Sequence, residues 1–276
     1  MHQPFTGSYG SLPLPVRAIC DELTDEAESS PDRFLRVDYI GYVNRVRERL
    51  ANLIGAQTDE CVMVNNASLG LATILRNLIF NEGDILVGGV ATNLTLFWVL
   101  FVCSATTTYG SVYKSLKCLA DVPPYPSLST LNIQFPTKRD KIIQDFEKHI
   151  KQVTEVRDVT GKRKIVAIID SVAAFPAVLL PWKEMVAICR EAGVISIVDG
   201  AHSIGQELDI NLSEARPDFW VSVRPLYLLR ITVTMPLFPK NCHKWLFSKR
   251  GSAVLYVPKR SGRFLLFHGF SIAQSE

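Results

Sequence analysis

Apolar positions along the chain follow two patterns, the three-to-four spacing of an amphipathic helix and the unbroken run of a buried strand. Over residues 42–54, Val43, Val46, Leu50 and Leu53 recur with Arg45, Arg47, Glu48 and Arg49 between them, and Gly55 follows. That spacing predicts a helix with a glycine stop. Residues 61–64 read as a short strand, Asn65-Asn66-Ala67-Ser68 as a polar turn, and Leu71, Ile74, Leu75 and Leu78 as the apolar stripe of a second helix. Residues 85–87 predict another strand, and 141–153, with Ile143, Phe146 and Ile150 on one face, another helix.

The most regular part comes next. Residues 164–169 (KIVAII) form an apolar run ending at Asp170, residues 182–192 a helical pattern closed by Gly193, and residues 194–198 (VISIV) a second apolar run ending at Asp199. Strands apolar on both faces and alternating with helices predict an α/β fold with a mainly parallel sheet flanked by helices. Ligands in such sheets bind beyond the carboxyl ends of the strands, where Asn66, Asp170 and Asp199 fall. The proline-rich stretch 121–136 reads as the clearest linker.

Composition narrows the class. A chain of 276 residues with 47% hydrophobic content has enough apolar mass for a sizeable core. Thirty basic residues against 27 acidic ones leave a net charge of +3, and the basic residues are scattered, so no nucleic-acid partner is indicated. Six cysteines without a C-x-x-C pair or zinc spacing predict reduced thiols in the cytoplasm, no disulfide and no metal. The apolar run 94–102 is about half of the ~20 residues a membrane span needs, and the first residues lack the pattern of a signal peptide. Without such a signal, the sequons at Asn66, Asn93 and Asn211 are chance matches.

Two motifs carry the chemistry: Val198-Asp199-Gly200-Ala201-His202 at the end of a buried strand, and Asn241-Cys242-His243-Lys244-Trp245-Leu246 further on. Together they resemble the signature of the class V aminotransferase family, fold-type-I enzymes that depend on pyridoxal phosphate (PLP). The resemblance implies that Lys244 carries the cofactor covalently and that Asp199 faces its pyridine nitrogen. A carboxylate beside that nitrogen favours its protonated form, which the ring needs to act as an electron sink. A lysine in such a site serves later as a general base at the substrate's Cα. Read singly, Asp199 is also a turn cap and Lys244 a surface cation.

Other positions are carried over from the same likeness. Asn66-Ala67-Ser68 resembles the family's phosphate turn, with Ser68 as the contact, although Ser68 also reads as a helix N-cap. Tyr109 resembles the aromatic residue stacked on the cofactor ring, or else is a core tyrosine. Asp170 and His202 would approach the phenolic oxygen, with His202 as a turn histidine the alternative. Asn241 and His243 fall to the cofactor as well, His243 toward the phosphate. Gly7-Ser8-Tyr9-Gly10 resembles the start of the isopenicillin N epimerase-like and hercynylcysteine sulfoxide lyase-like branch. The implied function is a lyase or epimerase on an amino-acid substrate, with transamination, cysteine desulfuration and an inactive truncated chain as alternatives. The implied assembly is a homodimer.

The sequence departs from the family in two places. Eighteen residues, 223–240, stand between Phe219-Trp220-Val221-Ser222 and the lysine motif. Asp199 and Lys244 lie 45 positions apart, and 45 − 18 = 27 restores a family-like separation. The segment begins with Val and ends with Lys, whose codons can begin GT and end AG, so it has the form of an intron of 18 × 3 = 54 nucleotides translated in frame. Sequencing mature transcripts across this stretch tests that hypothesis, and its presence in all of them overturns it. Residues 88–104 read as a second insertion. The expected organisation is an N-terminal segment over 1–40, a cofactor-binding domain over 41–260 and a tail over 261–276, with the relatives' smaller C-terminal domain largely missing.

Overall fold

The computed structural model describes residues 13–91, 107–155, 163–174, 176–223 and 251–265. Its helices are α1 (Leu14–Ser29), α2 (Pro31–Arg33), α3 (Tyr39–Ile54), α4 (Ala67–Asn77), α5 (Gly110–Ala120), α6 (Arg139–Glu155), α7 (Trp182–Glu191) and α8 (Leu212–Ala215). Its strands are β1 (Cys61–Val64), β2 (Ile85–Ala91), β3 (Ser127–Ile133), β4 (Ile165–Asp170), β5 (Ile195–Asp199), β6 (Phe219–Val223) and β7 (Ala253–Tyr256).

The strands make one sheet in the order β1-β7-β6-β5-β4-β2-β3. Strands β2 to β6 pair in parallel, and β7 runs antiparallel to both neighbours. Alternate residues of each strand feed two separate cores. Ile165, Ala167 and Ile169 of β4 pack with α3, α6 and α7, whereas Val166 and Ile168 pack with α4 and α5. Connections stepping toward β3 (α4, α5) therefore cross one face, and those stepping back toward β1 (α6, α7, α8) cross the other. Right-handed crossovers require that segregation.

Several sequence expectations shift in detail. Residues 121–136 are not a linker throughout, because β3 lies inside them and pairs with β2 along seven positions. Its neighbouring prolines and its largely exposed first half hid the strand, as suits the sheet's edge. Strand β2 runs to Ala91, so the first residues of the proposed 88–104 insertion continue a strand. In α6 the buried stripe is Ile142, Phe146, Ile150 and Val153, with Ile142 in the place given to Ile143. In α3 it is Val46, Leu50, Ala51 and Ile54, while Leu53 is exposed. Gly55 does end α3, in the left-handed conformation with φ of 63° that glycine adopts without strain.

At the amino ends of the strands, a buried aspartate and a half-buried one tie the sheet together. Asp84 is fully buried; its carboxylate accepts the Asn81 and Lys164 amides, each at 2.7 Å, and lies 3.8 Å from the Lys164 ammonium. Asp218 accepts the Ser196 amide at 2.9 Å and its hydroxyl at 3.0 Å. Among the described residues, no helix is long and apolar enough to cross a membrane.

Candidate active site

Strand periodicity brings the site together. Residues two apart share a face, so Asp170 follows Val166 and Ile168, and Asp199 follows Ile195 and Ile197, onto the side covered by α4 and α5. The two aspartates sit opposite each other in the β4–β5 register. Both are 5% exposed. Beyond them the backbone stays fixed, with the Ser171 amide donating to the Asp199 carbonyl (2.9 Å) and the Gly200 amide to that of Val221 (2.7 Å). The buried Ser171 and Ser203 hydroxyls bond to each other and join the loops that follow β4 and β5.

Gly200 is required by its neighbour. A Cβ there would stand 2.4 Å from Trp220 Nε1, so no larger residue fits without moving the backbone between Asp199 and His202. Gly70 plays the same part on α4, where a Cβ would meet Val221 Cγ2 at 2.8 Å; its absence lets the helix lie close on the sheet.

Two helix N-termini overhang the acid pair. In α4 the N-cap is Asn66, whose side chain accepts the Leu69 amide at 2.8 Å. Ser68 is therefore not the cap and lies within the first turn. The Gly70 amide opens the helical ladder on the Asn66 carbonyl (3.0 Å), so the amides of Ala67 and Ser68 point outward without helical acceptors, as an anion seat requires. The Ser68 hydroxyl bonds that of Ser111 in the first turn of α5, at 2.9 Å. Ser111 was not singled out from the sequence; only its place two residues after Tyr109 pointed to it.

Tyr109 precedes α5 with its ring half exposed, and is not a core tyrosine. One cleft is lined by Asn66, Ser68, Tyr109, Asp170, Asp199 and His202, with Ala67 and Val223 beside them. Seven residues predicted from distant parts of the sequence, Ala67 among them, thus share one surface. Asn241, His243 and Lys244 lie outside the described residues.

The electrostatics of the pair are unequal. Burial first, and then the Asp199 carboxylate, push Asp170 well above the usual carboxylate range; hydrogen bonds from the Tyr109 amide and the Thr108 and Thr107 hydroxyls pull it down by less. Two carboxyls so close in a dry site do not both ionise easily. Burial and the neighbouring carboxylate thus favour the protonated form of Asp170, while Asp199 accepts the Ala201 amide at 3.0 Å. Such a site can grip a cationic nitrogen and a hydroxyl or phenolic oxygen side by side, with an anion at the helix ends. Among the described residues, no group of three or more His, Cys, Asp or Glu could hold a metal.

Several known proteins similar in sequence or fold are named for chemistry on cysteine or cysteine-derived compounds. The chain is 31% identical over 256 residues to an L-cysteine desulfhydrase-like protein of Epichloe uncinata, covering 93% of the chain and 48% of that protein. It is 26% identical over 275 residues to the hercynylcysteine sulfoxide lyase of Schizosaccharomyces pombe, covering 98% of the chain and 58% of the lyase. The chain thus spans about half the length of the curated relatives it matches. Among solved structures, a cystine C-S lyase bound to its product cysteine persulfide superposes with a TM-score of 0.68 at 15% identity, covering 94% of the chain and 58% of that protein. A cysteine desulfurase of Thermococcus onnurineus gives 0.56 at 21% identity, covering 82% and 44%. No family model matches. Sequence likeness along nine-tenths of the chain and a shared sheet are consistent with the class V aminotransferase resemblance of its motifs.

Proposed function

We propose that the protein is a PLP-dependent C–S lyase acting on cysteine or a cysteine-derived amino acid. The observation that carries this reading is the buried Asp170–Asp199 pair on the sheet face beneath the first turn of α4. A phosphorylated hydroxypyridine needs an anion seat, a carboxylate, a donor and a flat cover, and the cleft offers one of each. The Ala67 and Ser68 amides with the Ser68 hydroxyl would hold the phosphate. Asp199 would keep the ring nitrogen protonated, Asp170 would donate to the phenolic oxygen beside His202, and the Tyr109 ring would cover one face. Bound there, the cofactor would supply an electron sink for bonds broken at the substrate's Cα.

From the sequence motif, Lys244 is the residue that would carry the cofactor, with Asn241 and His243 beside it. Its amine would take the Cα proton, and loss of that proton drives out a sulfur group from Cβ. The names of the relatives support cysteine-type substrates. A cytoplasmic homodimer built on residues 41–260 completes the proposal.

The test is the visible spectrum of the chain purified with PLP, before and after borohydride, alongside Lys244→Ala and a form lacking residues 223–240, together with sulfide release from L-cysteine. A reducible yellow chromophore absent from Lys244→Ala, with sulfide released, is the expected result. Colour only in the shortened form assigns the 276-residue chain to an inactive product. A colourless protein in every form overturns the cofactor reading.

A further inference from the structure

We infer that Thr107 and Thr108 are positioning residues, whose buried hydroxyls join the Tyr109 amide in tying the segment that carries the Tyr109 ring to the Asp170 carboxyl at the end of β4. The purpose of the tether rests on the cofactor reading above; the tether itself does not.

The case begins with burial. Thr107 is 2% exposed and Thr108 is 0% exposed, although both stand at the entrance to an exposed helix N-terminus. A buried hydroxyl is costly unless it is bonded, and both find the same acceptor, which also receives the Tyr109 amide. Three successive residues thus converge on one side chain. That side chain is rigid, because β4 lies between β5 and β2 in the middle of the sheet.

Tyr109 needs such an anchor. Its backbone is extended (φ −52°, ψ 135°) and no side chain caps α5 there. The Tyr109 carbonyl accepts the Val112 and Tyr113 amides at 2.8 and 3.0 Å, so the helix holds one side of the residue and Asp170 the other. The ring between them is left free to face the cleft. Three donors thus take acceptor positions of the one Asp170 carboxyl. Through the Ser68–Ser111 bond, movement of the Tyr109 segment is passed to the first turn of α4 as well. One carboxyl therefore sets the ring cover and, at second hand, the anion seat.

The experiment is amide hydrogen exchange at Tyr109 in the cofactor-free full chain, read by NMR, with PLP affinity read by absorbance titration. The variants are Thr108→Val, which keeps the shape and removes the hydroxyl, Thr108→Ser, which restores it, and Asp170→Ala. In the parent and in Thr108→Ser the amide is protected and PLP binds equally well. Thr108→Val exchanges at least tenfold faster and binds PLP at least tenfold more weakly, and Asp170→Ala exceeds it in both. A parent amide exchanging at the rate of an unstructured peptide overturns the tether even if Thr108→Val does not fold. A faster amide in Thr108→Val with unchanged PLP affinity overturns the positioning role. Protection that follows this order in a chain that takes up no PLP supports the tether and overturns the cofactor reading instead.

Discussion

The two ends of the parallel sheet both hold aspartates, and they treat them in opposite ways. At the amino end, Asp84 is enclosed by two backbone amides and faces the Lys164 ammonium, and Asp218 is closed on Ser196. At the carboxyl end, Asp170 also has three donors, yet among the described residues the charge acting on it is another carboxylate, that of Asp199. The number of hydrogen bonds does not separate the two ends; the sign of the neighbouring charge does. An acid beside a cation is held in its charged form, whereas an acid beside another acid is pushed toward its protonated form.

Substitutions at both ends can break this contrast. Asp84→Ala leaves the Asn81 and Lys164 amides without their acceptor, removes the charge beside the Lys164 ammonium and should cost about 3 kcal/mol of stability, read by urea unfolding; a loss no larger than that of Asp170→Asn would erase the distinction. Gly200→Ala drives a Cβ into the Trp220 indole and should cost about 2 kcal/mol, with PLP binding lost in titration because Asp199 and His202 move together.

The pH dependence of stability sharpens the comparison further. Folded Asp170 keeps its proton to higher pH than in the unfolded chain, so the native state binds more protons in that window. Stability of the cofactor-free chain should therefore fall as pH rises from about 4 toward the raised value, by up to about 1.4 kcal/mol per pH unit. Asp170→Asn should flatten that slope in unfolding curves taken from pH 4 to 8; an unchanged slope would assign the proton elsewhere. The smallest effect belongs to the cap: Asn66→Ala should cost about 1 kcal/mol and lower the melting temperature, while the Asp170 slope persists.

The sequence disclosed the acids of the working end better than those of the structural end. Asp170 and Asp199 close runs of buried apolar residues, so their position at strand ends could be read from pattern alone. Asp84 follows Gly83 in what looks like an ordinary polar turn, and nothing local reveals that Lys164, 80 positions later, supplies its partner. Thr107 and Thr108 escaped for a similar reason, since threonine is unremarkable in a loop until a distant carboxyl gives it a role. The edge strand β3 was obscured by prolines, and the buried face of α6 was rotated by one residue because Ile142 and Ile143 are equally apolar. Local periodicity names the elements, and contacts across the chain decide how each is turned.

The antiparallel strand β7 has a consequence for how the protein is made. Among the described residues it is the sole sheet partner of β1, and their register joins Val64 to Ala253, 189 positions apart. Translation at ~5–20 residues per second delivers β1 first and its partner roughly 10–40 seconds later by the same rates. Throughout that interval the nascent chain carries an unclaimed strand edge outside the ribosome, available to any other extended segment, including the β1 of a neighbouring copy on the same polysome.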